Sequence, residues 1–340
     1  MALISVSSYI GLLVFSVPVT VLWPYVAGAL VLVVGLAVVP WKQVGKTRGL
    51  EKLVPFGPVL FAVPMAVFSG DHFAFARGVA TVVPSWMPWH LFWTYFVGTA
   101  LMAAALSLAA KKESQLAAAL LGLMLFLFVL MIHIPNCFAT PHDRSRFTVM
   151  ARDLALSAGA FSFAASQAAD WRRGVYRGMG LALGSAAWKK LVPITRFVIG
   201  LVLTDFGIQH FLFPHFAPGI PEEGPGVMVT MPPWIPAHAF WAYLTGTIFV
   251  VCGMALVLNR APRLAATLVG ATVLPLILFV YLPLTIEHAS NIGMGLNYLA
   301  IHFALAGDAL LLAGALPGRL ASEAAVMELE AANVQRAPGS

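Results

Sequence analysis

An all-α, polytopic transmembrane bundle is the fold this sequence predicts, and three observations predict it. Of 340 residues, 60% are hydrophobic and 10% charged, against roughly 45–50% apolar and about 25% charged in a soluble domain. The 20 Lys+Arg and 14 Asp+Glu lie mostly in short runs between apolar blocks near the roughly 20 residues a helix needs to cross a bilayer. Third, a block of sixteen residues occurs twice. The mean hydropathy of +0.87 excludes a soluble enzyme, a disordered chain and a small disulfide scaffold. The pI of about 9.5 reflects basic loops on alternate sides of successive spans, so anionic lipid and topology explain it and nucleic acid does not.

The chain opens with Leu3 to Val39, 37 residues without a charge. That is too long for one ordinary span, and Pro18, Trp23 and Pro24 near its middle predict a tight hairpin, giving ten spans in all, with a single span and nine in all as the alternative. No Lys or Arg precedes it, so it reads as retained membrane segment and not as a cleaved leader. Eight further spans follow: Leu53 to Phe75, Pro88 to Ala110, Gln115 to Ile134, Phe147 to Ala169, Leu191 to Phe213, Pro236 to Leu258, Pro262 to Leu284 and Gly295 to Leu316. The resulting division is an N-terminal hairpin (1–50), a first four-helix unit (51–170), a basic linker (171–190), a second four-helix unit (191–317) and a tail (318–340). Lys42, Lys46, Arg48 and Lys52, then Lys111 and Lys112, then Arg172 to Lys190, then Arg260 and Arg263 mark every second connection. By the positive-inside rule these loops are cytoplasmic, which predicts an inner-membrane, multi-pass protein. Cys137 in a loop and Cys252 deep in a span are expected to stay apart, and no C-x-x-C pair suggests dithiol chemistry.

The repeat sets the architecture. Pro84 to Thr99 and Pro232 to Thr247 share P-x-W-x-P-x-H-x-F-W-x-Y-x-x-G-T, nine identities in sixteen. Lys52-Leu53-Val54-Pro55 recurs as Lys190-Leu191-Val192-Pro193, and His72-Phe73-x-Phe75 as His210-Phe211-x-Phe213, both at an offset of 138; ten extra residues around Pro214 to Gly226 separate the two matches in the second copy. Four spans per copy is an even number, so the copies enter the membrane with the same orientation: parallel repeats about an axis near the membrane normal. Pro88 and Pro236 suit a first helical turn, the tryptophans suit an interfacial belt, and Tyr95 and Tyr243 are expected to send hydroxyls toward neighbouring helices.

The run Gly207-Ile208-Gln209-His210-Phe211, Phe213-Pro214 and the Pro232 to Gly246 motif resembles the DoxX-like family of small four-helix membrane proteins, as does the first copy through His72, Pro84 to Gly98, His133-Ile134-Pro135 and Asp143-Arg144. The resemblance covers about Leu53 to Leu316. It implies a tandem version of the four-helix unit and, because the family takes its name from a membrane subunit of a thiosulfate:quinone oxidoreductase, a link to quinone-dependent redox metabolism with a redox partner subunit.

The candidate ligand or proton site comprises Asp205, Gln209, His210, His238, His302 and Asp308, with His72, His90, His133 and Arg144 as the first-copy counterpart. All nine histidines fall on the predicted periplasmic side; His72, His90 and His133, at the ends of three adjacent helices, are placed to converge. Histidine also fits a membrane interface without binding anything, and no H-x-x-x-H or Cys/His spacing supports metal or haem, leaving quinone as the cofactor the resemblance suggests. Asp205 and Asp308 are expected well inside the hydrocarbon, either protonated or paired, in the second copy alone. Gln209, Thr204 and Tyr298 are the available hydrogen-bond partners. Arg152 and Asp153 are expected to pair locally, Arg196 to reach the cytoplasm, and Pro218 to Gly226 to form a rigid surface excursion. No nucleophile with a base at motif spacing is visible, so autonomous hydrolysis is disfavoured. The competing functions are a non-autonomous redox subunit, a proton- or cation-coupled transporter using Asp205 and Asp308, and an assembly protein without catalysis.

Overall fold

Hydrocarbon offers backbone groups no hydrogen-bond partners, so apolar runs of this length must close their hydrogen bonds within themselves and become helices. The computed structural model describes residues 19–167, 185–221, 223–224, 227–228, 230–293 and 295–318. The expected linker and tail fall mainly on 168–184 and 319–340, outside the described residues. Nine long helices run through the described residues: α1 (Val19–Val38), α2 (Gly57–Ala74), α3 (His90–Ala110), α4 (Ser114–Phe128), α5 (Arg144–Ser166), α6 (Ser185–Leu212), α7 (His238–Val257), α8 (Pro262–Leu276) and α9 (Leu296–Ala315). Two short strands, β1 (Glu223–Gly224) and β2 (Val227–Met228), pair antiparallel between α6 and α7.

Eight of the spanning segments are long and apolar enough to cross a membrane. The ninth helix, α5, carries Arg144, Arg146, Arg152 and Asp153, and packing on α4, α6 and α9 shelters much of it from lipid. The chain is therefore an all-α, multi-pass integral membrane protein in contact with the bilayer. The eight expected spans are all helical, with ends displaced by several residues. α1 runs unbroken through Trp23 and Pro24, where the expected hairpin turns; its other arm falls on residues 1–18, outside the described residues.

Elements α2–α5 and α6–α9 share local geometry as well as sequence. α3 and α7 are each preceded by a left-handed residue, Trp89 (φ 57°, ψ 53°) and Ala237 (φ 56°, ψ 52°). These N-caps put Pro88 and Pro236 just ahead of the helix and not in its first turn, because the left-handed residue redirects the chain before the helix starts. α4 and α8 each pass through a five-residue π-helical turn, Val129–His133 and Ile277–Tyr281, into a short helix containing Pro135 or Pro283. Proline supplies no N–H and crowds the carbonyl four residues earlier, and the ladder shifts register ahead of it. Tyr95 stacks on Phe73 at 5.8 Å and Tyr243 on Phe211 at 5.7 Å, so both rings pack against the neighbouring helix where hydroxyl contacts were expected.

The helices of each half pack in sequence, and the last helix of each half also crosses over: α5 lies on α6, α9 lies on α2, and α5 meets α9 in the middle. Between helices in lipid there is no difference in apolarity to exploit, so close backbone approach carries the packing. At the α6–α7 crossing, a Cβ on Gly207 would lie 2.7 Å from the Gly246 carbonyl oxygen, and one on Gly253 2.7 Å from that of Gly200. The first half uses Ser69 at the matching level, its hydroxyl donating to the Gly98 carbonyl at 2.7 Å. At the basic end Arg263 joins the halves: it donates to Glu51 at 2.7 Å and to the Ala313 and Leu316 carbonyls, each at 2.7 Å. Cys137 and Cys252 are both free and buried; Cys137 lies in the helix Ile134–Ala139 and not in a loop.

Candidate functional site

The last turns of α6 carry Asp205, Gln209 and His210, and the chain then folds back over them. His210 Nδ1 meets the Phe206 carbonyl of its own helix at 2.5 Å, and its Nε2 accepts the Gly219 N–H at 2.9 Å. One turn and a half into α9, His302 repeats the arrangement: Nδ1 meets the Tyr298 carbonyl at 2.7 Å and Nε2 accepts the Ile220 N–H at 3.1 Å. A ring nitrogen facing a carbonyl must carry the proton, and one facing an N–H must offer its lone pair; both rings are therefore neutral, Nδ1-protonated imidazoles. The ring of Tyr281 stacks on His302 at 3.5 Å and its hydroxyl donates to the Pro218 carbonyl at 2.8 Å. Gly219 has φ 133°, and a Cβ there would sit 2.1 Å from His302 Nε2, so only glycine fits.

This geometry corrects the expected surface excursion. Residues Phe216 to Pro221 are buried and form a plug over the end of the second half, held by backbone donors that would otherwise be orphaned. With both nitrogens of each ring engaged, His210 and His302 offer neither a lone pair to a metal nor an N–H to a quinone oxygen while the plug stays docked.

Beside the plug, at the α5–α6 seam, Arg144 Nη1 donates to Gln209 Oε1 at 2.7 Å and to the Pro221 carbonyl at 3.0 Å, and Gln209 Nε2 donates to Asp205 Oδ2 at 2.7 Å. The guanidinium lies over the Phe213 ring at 4.3 Å, a cation–π contact that fixes its plane. Asp205 is exposed on the outside of α6, whereas Gln209 is buried. The helical stagger between the two positions turns Asp205 off the buried face, so the expected interior acid is a carboxyl facing outward and linked inward through an amide.

Asp308 is the interior acid: 1% exposed, at the α5–α9 crossing. Its Oδ1 fills the space a side chain at residue 159 would occupy, 1.5 Å from an ideal Cβ on Gly159. Neither carboxyl oxygen makes a hydrogen bond of good geometry among the described residues, and the carboxyl lies against the Gly159 backbone. None of the expected partners Gln209, Thr204 or Tyr298 bonds to it within those limits: Gln209 serves Asp205, and Thr204 bonds back to the Gly200 carbonyl.

The first-half histidines do not converge. His72 Nδ1 bonds the Phe68 carbonyl at 2.7 Å, whereas His133 Nε2 meets Asp153 Oδ2 at 2.8 Å, the other carboxylate oxygen taking Arg152 Nε at 2.9 Å. His90 and His238 are the first residues of α3 and α7, half-buried. No group of three or more His, Cys, Asp or Glu side chains suited to a metal occurs among the described residues. Sequence reasoning missed Asp71, Asn297, Tyr281 and Gly219. Asp71 had a signal: it precedes His72 as Gln209 precedes His210.

Against known proteins, the chain is 36% identical over 106 residues to the uncharacterized membrane protein Rv3486 of Mycobacterium tuberculosis, a match covering 27% of this chain and 60% of that protein. No family model matches the chain, and no solved structure does.

Proposed function

We propose that the protein is a tandem DoxX-like membrane protein of the inner membrane, its histidine-bearing end periplasmic and its basic loops cytoplasmic. On this reading it works as a non-autonomous subunit or accessory protein with a redox partner in quinone-linked metabolism. The observation that carries it is Asp205, an exposed carboxyl within a membrane-spanning helix, connected through Gln209 to Arg144. A carboxyl in that position is expensive unless it serves a ligand or a proton, and a lipid-soluble headgroup has lateral access to it. The donor set fits a quinone headgroup, which would supply two-electron, two-proton chemistry. Asp205 would accept a hydroxyl proton at a carboxylate oxygen, Gln209 hold that carboxyl in one orientation, and Arg144 hold Gln209.

The test is binding of a short-chain quinone to the purified protein in lipid nanodiscs. Asp205→Asn is expected to weaken binding by about tenfold or more; equal affinity in the native protein, Asp205→Asn and Gln209→Leu removes the assignment. Asp308 favours a second reading, proton-coupled solute transport, since an enclosed carboxyl without a well-formed partner is the feature of a membrane proton site. That reading predicts proton uptake into vesicles that Asp308→Asn abolishes.

A further inference from the structure

The first half ends in a cleft, not a plug. It has a volume of about 630 Å³ and is walled by Val21 of α1, Asp71 and Phe75 at the end of α2, Val79 beyond it, Ile292 of the α8–α9 connection and Asn297 in the first turn of α9. The connection is built and not loose: Tyr25 donates to the Ala289 carbonyl at 3.1 Å, and the backbone N–H of Asn297 closes on the Ile292 carbonyl at 2.9 Å. Two acceptors in this wall, Asp71 Oδ1 and Asn297 Oδ1, are buried and have no hydrogen-bond partner among the described residues. They are not a pair awaiting an amide flip. The Asn297 side chain neighbours Asp71, and with the carboxyl ionised, turning the amide oxygen toward it would set acceptor against acceptor. Buried acceptors left in this state are costly, and what they lack is a donor.

We propose that this cleft binds a primary ammonium group, either of a soluble alkylamine or of an ethanolamine lipid headgroup, with its N–H donors on Asp71 and Asn297 and its carbon chain against Phe75, Val79 and Ile292. An ammonium carries three donors and no acceptor, which matches two orphaned oxygens, one of them a carboxyl. The apolar walls exclude a strongly hydrated inorganic cation and favour an attached alkyl chain. The site lies apart from Asp205 and does not rest on the quinone reading.

The experiment titrates the full-length protein in detergent with n-butylammonium chloride, with butanol and sodium chloride as controls, reading both heat of binding and thermal midpoint. Native mass spectrometry of the same preparation compares retained phosphatidylethanolamine with phosphatidylglycerol. Binding and stabilisation by butylammonium but not by butanol or sodium are expected, with Asp71→Asn weakening affinity about tenfold or more and Val79→Trp, which fills the cleft, abolishing it. Retention of phosphatidylethanolamine alone, lost in both variants, assigns the ammonium to lipid. Three results would overturn the proposal: no binding of either probe to the native protein, equal stabilisation by sodium, or unchanged affinity in Asp71→Asn and Val79→Trp.

Discussion

The histidine-bearing ends of α2–α5 and α6–α9 start from matching parts and finish differently. In both halves a histidine near the end of the first helix bonds its own fourth-preceding carbonyl, and a glycine on the second helix lies under that histidine's Cβ, Gly98 under His72 and Gly246 under His210. In the second half ten extra residues bring Gly219 and Ile220 back onto the free nitrogens of His210 and His302. In the first half the chain leaves directly into the short helix Ala76–Val79, and two buried acceptors in the polar wall beside it stay unpaired among the described residues. The same scaffold thus becomes sealed or receptive according to whether a loop supplies backbone donors.

The largest expected effect breaks the seal. Gly219→Ala forces a Cβ onto His302 at a backbone angle that L-residues avoid, and should destabilise the protein by about 3 kcal/mol in reversible unfolding. Gly78→Ala, facing the first-half cleft with nothing within 4 Å of an added Cβ, should stay within about 0.5 kcal/mol of native. Gly159→Ala should cost about 2–3 kcal/mol by displacing the Asp308 carboxyl, and the double variant with Asp308→Ala should be more stable than Gly159→Ala alone, since the second change removes the clash. His210→Phe leaves the Gly219 N–H without an acceptor and should cost about 1–3 kcal/mol. His72→Phe orphans no loop donor and should cost less, about 0.5–1 kcal/mol, so comparable losses in the two variants would erase the distinction between the halves.

Much of the fold was legible because lipid enforces it: length and apolarity are written in one dimension, and the paired motifs around Pro84 and Pro232 reappear as matching left-handed caps at Trp89 and Ala237. The site was less legible. That Asp205 faces outward and Asp308 inward depends on which helices cross, α6 with α5 and α9 with α5, and these are contacts between residues far apart in sequence. Pro218 and Gly219 have the chemistry of a surface turn; their burial comes from His302, more than eighty residues later. Asp71 was missed although it aligns with Gln209, and Asn297, its neighbour in the cleft wall, comes from the other half of the chain.

Residue-resolved amide hydrogen exchange on the folded protein addresses the contrast between a sealed and an open half most directly. The Gly219 and Ile220 amides should exchange at least about a hundredfold slower than their intrinsic rates, and Gly219 should lose that protection in His210→Phe. Exchange of both amides at intrinsic rates in the native protein would contradict the docked plug and, with it, the difference between the two halves.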